Sequence, residues 1–297
     1  MTNPLRRAGR GLVGAPPEAL FLVGAASQYL GAIIAVSIFD EVGPAPAALV
    51  RVVSASLILL AVSMPRLLRD GFPRGRELAV IGAFGVVTAM MNLTFYLAIA
   101  RLDLGKGVAI EFIGPIAVAA ARTRTTRNVV AVGAAALGVV VLSGLEIDDE
   151  PLGVLFIFLA AACWATYIVL GSLVARRDRG VAGLGIGLAV GAVAIAPFSL
   201  GNTAVFGSLR LLALCALVGL LSNAIGYGID QTTLRRIPVR RFSVLLALLP
   251  VTATVMGALF LDQTPTVAEM FGIALVLVGV VVQERETIAT STVPRRR

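Results

Sequence analysis

Histidine is absent from this 297-residue chain, cysteine occurs twice, tryptophan once, and only 14% of the residues carry charge. Each shortage excludes something. Without histidine there is no Ser-His pair, no HExxH site and no Cys/His zinc site. No pair of membrane aspartates offers a carboxylate protease, and no Walker A lysine motif offers ATP as a driver. Enzymatic activity, metals and cofactors are therefore not expected. Cys163 and Cys215 both lie in apolar runs and supply no disulfide framework. A soluble domain carries about a quarter charged residues, so this chain is not one.

What is present is hydrocarbon-like. The chain is 58% hydrophobic with mean hydropathy +0.94. A bilayer core needs about 20 apolar residues per helical span. Ten such segments lie near 18–38, 44–63, 78–100, 103–121, 128–145, 152–174, 181–200, 209–229, 238–261 and 266–283. Strands of a membrane barrel would be about half as long and alternate in polarity, so helices are expected. The first segment follows Arg6, Arg7 and Arg10 as a signal peptide would, but it is long for one and nine more segments follow it.

A net charge of +8 and a pI near 10.6 could point to nucleic acid, but position decides against it. All 25 basic residues except Arg51, Arg101, Lys106 and Arg210 fall in the two tails or in every second loop. Acids such as Asp40, Glu41, Asp148 and Glu150 gather in the alternate loops. The positive-inside rule then places both termini of this multi-pass membrane protein in the cytoplasm. Arg101, Lys106 and Arg210 are read as lying outside. Pro44, Pro46 and Pro65 are read as bounding the second segment.

The two halves echo each other at a spacing of about 135 residues. Pro115 matches Pro250. Thr88, Asn92 and Tyr96 form one stripe at helical spacing, and Asn223, Tyr227 and Gln231 repeat it. AASQY at 25–29 stands where AACWA stands at 161–165. Five spans per copy is odd, so the second copy is inverted, the plan of secondary transporters with a site between the halves. The expected architecture is all-α: ten transmembrane helices in two inverted five-helix repeats. Residues 1–17 form an N-terminal tail, 18–145 and 152–284 the repeats, and 285–297 a disordered tail. Gly183, Gly187 and Gly191 are read as a helix-packing run.

Glu111 is the residue that most needs explaining. A charge at the centre of a membrane helix costs roughly 2.5–3.5 kcal/mol on insertion scales. Counted from their outer ends, Glu111 lies about 12 Å and Arg51 about 10 Å into their helices. The two are expected to face one internal cavity and to pair there. With histidine absent, proton chemistry falls to carboxylates, which makes Glu111 the candidate proton carrier. A structural ion pair is the competing account. Asn92, Tyr96, Asn223 and Tyr227 are candidates for lining the pathway, although the same residue types serve as interhelical glue. Trp164 and Tyr167 are expected to form a cavity wall, with Gln28 as the repeat partner of Trp164.

The strings MNLTFYLAIARLDLGKGVAIEFIGPIAVA at 91–119, ACWATYIVLG at 162–171 and LVR at 49–51 resemble the drug/metabolite transporter superfamily. Within it the chain is similar to EamA-type permeases of the threonine and homoserine exporter branch. The resemblance implies a small-molecule substrate, an amino acid or related metabolite, moved outward across the lipid bilayer in exchange for protons. An importer or facilitator of the same fold, or a non-transporting membrane scaffold, remains an alternative. Relatives commonly carry Glu before the proline of the ninth helix and a Gly-Glu pair after it. This chain has Leu249 and the pair Asp262-Gln263 instead, which leaves Glu111 as the one deep carboxylate expected.

Overall fold

Twenty residues from Pro17 to Val36 contain no charge after Glu18, and in the computed structural model they form the first helix, α1. The structure describes residues 17–122, 125–144, 150–175, 180–199, 204–227, 229 and 248–283. After α1 come α2 Pro44–Asp70, α3 Gly75–Ile99, α4 Leu104–Glu111, α5 Ile113–Arg122 and α6 Thr126–Gly144. The second half holds α7 Pro151–Ala175, α8 Gly180–Ile195, α9 Leu209–Val218, α10 Leu248–Phe260 and α11 Val267–Gln283. A π-helix, Gly219–Gly226, continues α9. No strand occurs among the described residues.

Among the described residues, six helical stretches are long and apolar enough to cross a membrane by length and composition: those within α1, α2, α3, α7, α8 and α9 with its π-helix. Their outer faces carry bare aliphatic side chains, with Val62 72%, Val193 75% and Leu209 83% exposed. Such a surface suits lipid rather than water. The tails and residues 238–247 of the ninth predicted segment lie outside the described residues, as do Asp230 and Gln231.

Two boundaries differ from expectation. Pro65 does not end the second segment, because α2 runs through it to Asp70. A proline costs the bond to the carbonyl four residues back, here that of exposed Ala61. Gly71, at φ +81°, is what stops the helix. The fourth segment is broken into α4 and α5 at Phe112. Pro115 has no N–H to give the Glu111 carbonyl, so the ladder lapses there.

The packing of the two halves is reciprocal. α1 lies against the π-helix and α9, as α7 lies against α3. α2 packs on the π-helix, as α8 packs on α3. α2 meets α8, α4 meets α10 and α6 meets α11, each pair joining like-placed helices of the two halves. Close backbone approach makes several of these contacts. A Cβ on Gly85 would overlap the Gly187 carbonyl, and one on Gly191 would overlap that of Gly85. The glycine run on α8 is thus a packing surface.

The loop ends also sort. Arg210 Nη1 reaches Glu41 at 3.2 Å, the Ser199 hydroxyl donates to the Ala45 carbonyl, and Arg101 lies over Phe156. Together with Asp103 and Gln263 these residues mark one end of the bundle. Arg66, Arg69 and Arg127 mark the other, where Arg127 Nε donates to the Val282 carbonyl.

The glycine seam can be tested against an open control. Gly85→Ala should cost about 1–3 kcal/mol by overpacking. Gly133→Ala, with nothing within 4 Å of its added Cβ, should cost nothing. Thermal unfolding in detergent distinguishes the two.

Candidate functional site

The π-helix widens one turn of the α9 stretch, as such turns often do at functional sites, and carries Asn223 on that turn. Gly219, one turn earlier, lets the backbone come close to α2, since a Cβ there would overlap Ser54 Oγ. This approach brings Asn223 to Arg51. The Arg51 Nε donates to Asn223 Oδ1 at 2.7 Å, with Arg51 only 6% exposed. The guanidinium carbon also lies 4.7 Å from the centroid of the Tyr96 ring, a cation–π contact across to α3. The structure therefore gathers Arg51, Asn223 and Tyr96 from α2, the π-helix and α3.

Among the described residues, Asn223 Nδ2, the Tyr96 hydroxyl and Asn92 Oδ1 are buried and have no hydrogen-bond partner. The Tyr96 hydroxyl lies beside Arg51 and Ser222. Asn92 spends its Nδ2 on the Thr88 carbonyl, 2.7 Å away on its own helix. Leaving a buried polar group unpaired costs about 1–3 kcal/mol, so three in one place call for an explanation.

Glu111 is buried at the end of α4, beside the break at Phe112. The expected direct pair with Arg51 is not made: no ion pair within 4 Å joins them among the described residues. Arg51 acts on Glu111 through space instead, and a neutral amide has taken the place beside the guanidinium. Glu111 makes no hydrogen bond among the described residues.

The aromatic candidates pack against other rings. Trp164 stands edge-on to Phe112 at 5.1 Å. Tyr167 stacks on Phe84 at 5.1 Å and tilts toward Tyr227 at 6.1 Å, so it touches both halves. The Gln28 side chain lies against Gly226, and the Gln28 backbone carbonyl accepts from the Ser222 hydroxyl. The Ser27 hydroxyl donates to the Leu221 carbonyl nearby. Gln28 therefore supports the π-helix, while Arg51, Asn223 and Tyr96 form the polar centre.

The sequence reading missed a second buried charge cluster. Lys106 lies in α4, within the predicted fourth segment, and bonds Glu269 of α11 at 2.8 Å, a partner the sequence did not suggest. Glu111 is thus not the only buried acid, since Glu269 is 8% exposed. The signal was the string TVAE at 266–269. Thr266 N–H donates to Glu269 Oε2, and Glu269 N–H donates to Thr266 Oγ1, a capping box that fixes the acid at the start of its helix. A small pocket opens beside it, lined by Asp103, Lys106, Thr254, Gln263 and Glu269 among others.

Residues 151–283 match the EamA-like transporter family. The chain is 33% identical over 265 residues to the threonine/homoserine exporter RhtA of Escherichia coli (strain K12), with 88% of each chain covered. The protein of that name from Salmonella typhimurium (strain LT2) is 32% identical over 267 residues, again with 88% of each covered. A solved crystal structure superposes with a TM-score of 0.60 at 17% identity, over 91% of this chain and 100% of that one, a likeness of fold.

Asn223→Leu would strand the Arg51 Nε and should cost about 1–3 kcal/mol. Ser27→Ala removes one helix-to-helix bond and should cost about 0.5–1.5 kcal/mol. Unfolding in mixed micelles measures both, and equal losses would mean that Asn223 is not what holds the guanidinium.

Proposed function

The chain belongs to the EamA-like transporter family, and from that premise we propose that it is a secondary active exporter of threonine, homoserine or similar small amino acids, coupled to protons. In this reading ten helices cross the inner membrane in two inverted repeats, with both termini in the cytoplasm. The reciprocal packing of the two halves and the sorting of acidic and basic ends support that arrangement. The similarity to threonine/homoserine exporters supports export.

The observation that carries the reading is a buried arginine that, among the described residues, is held only by neutral groups, with polar atoms nearby that lack a partner there. A buried charge without a counter-ion is costly, and an amino acid would complete this one. Its carboxylate would accept from the Arg51 guanidinium, Asn223 Nδ2 and the Tyr96 hydroxyl. Its ammonium, or a proton in the empty carrier, would go to Glu111, with Asn92 Oδ1 as a further acceptor. Trp164, Tyr167 and Tyr227 would wall the path, with Gln28 behind the π-helix. Loading and unloading Glu111 from opposite sides by alternating access would couple the two fluxes. The Arg51–Glu111 ion pair of the purely structural account is not made among the described residues.

Cells expressing the protein should export radiolabelled threonine. Arg51→Ala should reduce export about tenfold or more, the cost of about 1.4 kcal/mol or more in recognition. Glu111→Gln should abolish dependence on the proton gradient. Normal rate and unchanged pH dependence in Glu111→Gln would reduce that acid to scaffolding.

A further inference from the structure

Lys106 and Glu269 are buried and charged, and the transport scheme above leaves them unused. Their 2.8 Å bond joins α4 of the first half to α11 of the second, with side chains 6% and 11% exposed. It does not stand alone at this end of the bundle. Gln263 Oε1 accepts from the Leu104 N–H at 3.0 Å, and a Cβ on Gly105 would overlap the Thr254 side chain of α10. These contacts close α4 against α10 and α11 beside the pocket.

We propose that the Lys106–Glu269 ion pair is the outer gate of the transport path, broken and remade in each cycle. The inference rests on the transporter reading. Two features suit a reversible contact better than a permanent strut. Glu269 keeps the Thr266 N–H as a second partner at 2.8 Å, so its carboxylate is not stranded when Lys106 leaves. That local bond lowers the penalty of opening a buried pair, which is otherwise severe. Lys106 also shares α4 with Glu111, and α4 is separated from α5 by the break at Phe112. A tilt of α4 about that break would move the gate and the proton carrier together, so loading at one is felt at the other.

The test uses the full-length protein with Cys163→Ser, Cys215→Ser and Thr254→Cys, labelled from outside with a membrane-impermeant maleimide. No substrate is needed. With the pair intact, labelling should be slow. Lys106→Met, Lys106→Glu or Glu269→Gln should each speed it roughly tenfold, the factor that about 1.4 kcal/mol of lost closed-state stabilisation produces. The charge-swapped double variant, Lys106→Glu with Glu269→Lys, should return it to the slow rate, which general loosening would not do. Unchanged labelling in the single variants, or no return in the double, overturns the gate. If the single variants fail to accumulate, a Lys106→Cys/Glu269→Cys protein bridged by a short bifunctional thiol reagent should stop cycling, and labelling at position 254 that is as fast bridged as unbridged overturns the gate. A gate that behaves as expected in a protein that exports no amino acid would refute the assigned substrate and leave the gate standing.

Discussion

A guanidinium cannot be left bare in hydrocarbon, and how Arg51 is satisfied governs the rest of the structure. It receives one amide oxygen and one aromatic face. Neither neutralises it. The amide is within reach because the π-helix turns Asn223 inward, and the π-helix comes close because Gly219 lacks a side chain to hold α2 away. The ring is there because Tyr96 continues the polar stripe of α3. Three helices are thus drawn to one charge, and the unpaired atoms of Asn92, Tyr96 and Asn223 remain around it. On the proposed reading the fold stores an incomplete coordination shell that a zwitterion completes.

The paired halves give that centre its means of moving. Helices that meet across the bundle are packed through small residues, which permit close sliding contact without long interlocking side chains. α4 is the exception, since it carries Lys106 near one end and Glu111 at the other, and Pro115 denies it continuity with α5. One short rigid piece therefore spans the distance between a charge pair that joins the halves and an acid that faces Arg51. In the proposed cycle this piece is the lever.

Much of this was legible beforehand, for physical reasons. Hydrocarbon runs and the sorting of arginines by loop are long-range averages that no single contact can overturn. Buried Asn and Tyr at helical spacing are likewise visible in a string of letters. Pairing across the fold was less legible. Arg51 and Glu111 lie at similar depth and carry opposite charge, yet depth does not reveal that Asn223 would arrive first. The π-helix has no sequence signature beyond its flanking glycines. Lys106 falls within the fourth predicted segment, but its partner is in the last helix and no spacing in the sequence pairs the two. Only the TVAE capping box hinted that Glu269 would be fixed in place to receive it. Pro65 was misread because a proline near a wet helix end loses a bond that water can replace.

The central claim is that the shell around Arg51 is completed by a carboxylate. Its most direct test is calorimetric titration of the purified protein with threonine and with 1-aminopropan-2-ol, which keeps the amine and the hydroxyl but lacks the carboxylate. The account predicts that threonine binds, that the amino alcohol does not, and that Arg51→Ala abolishes the difference. Equal binding of the two ligands to the unaltered protein would contradict it.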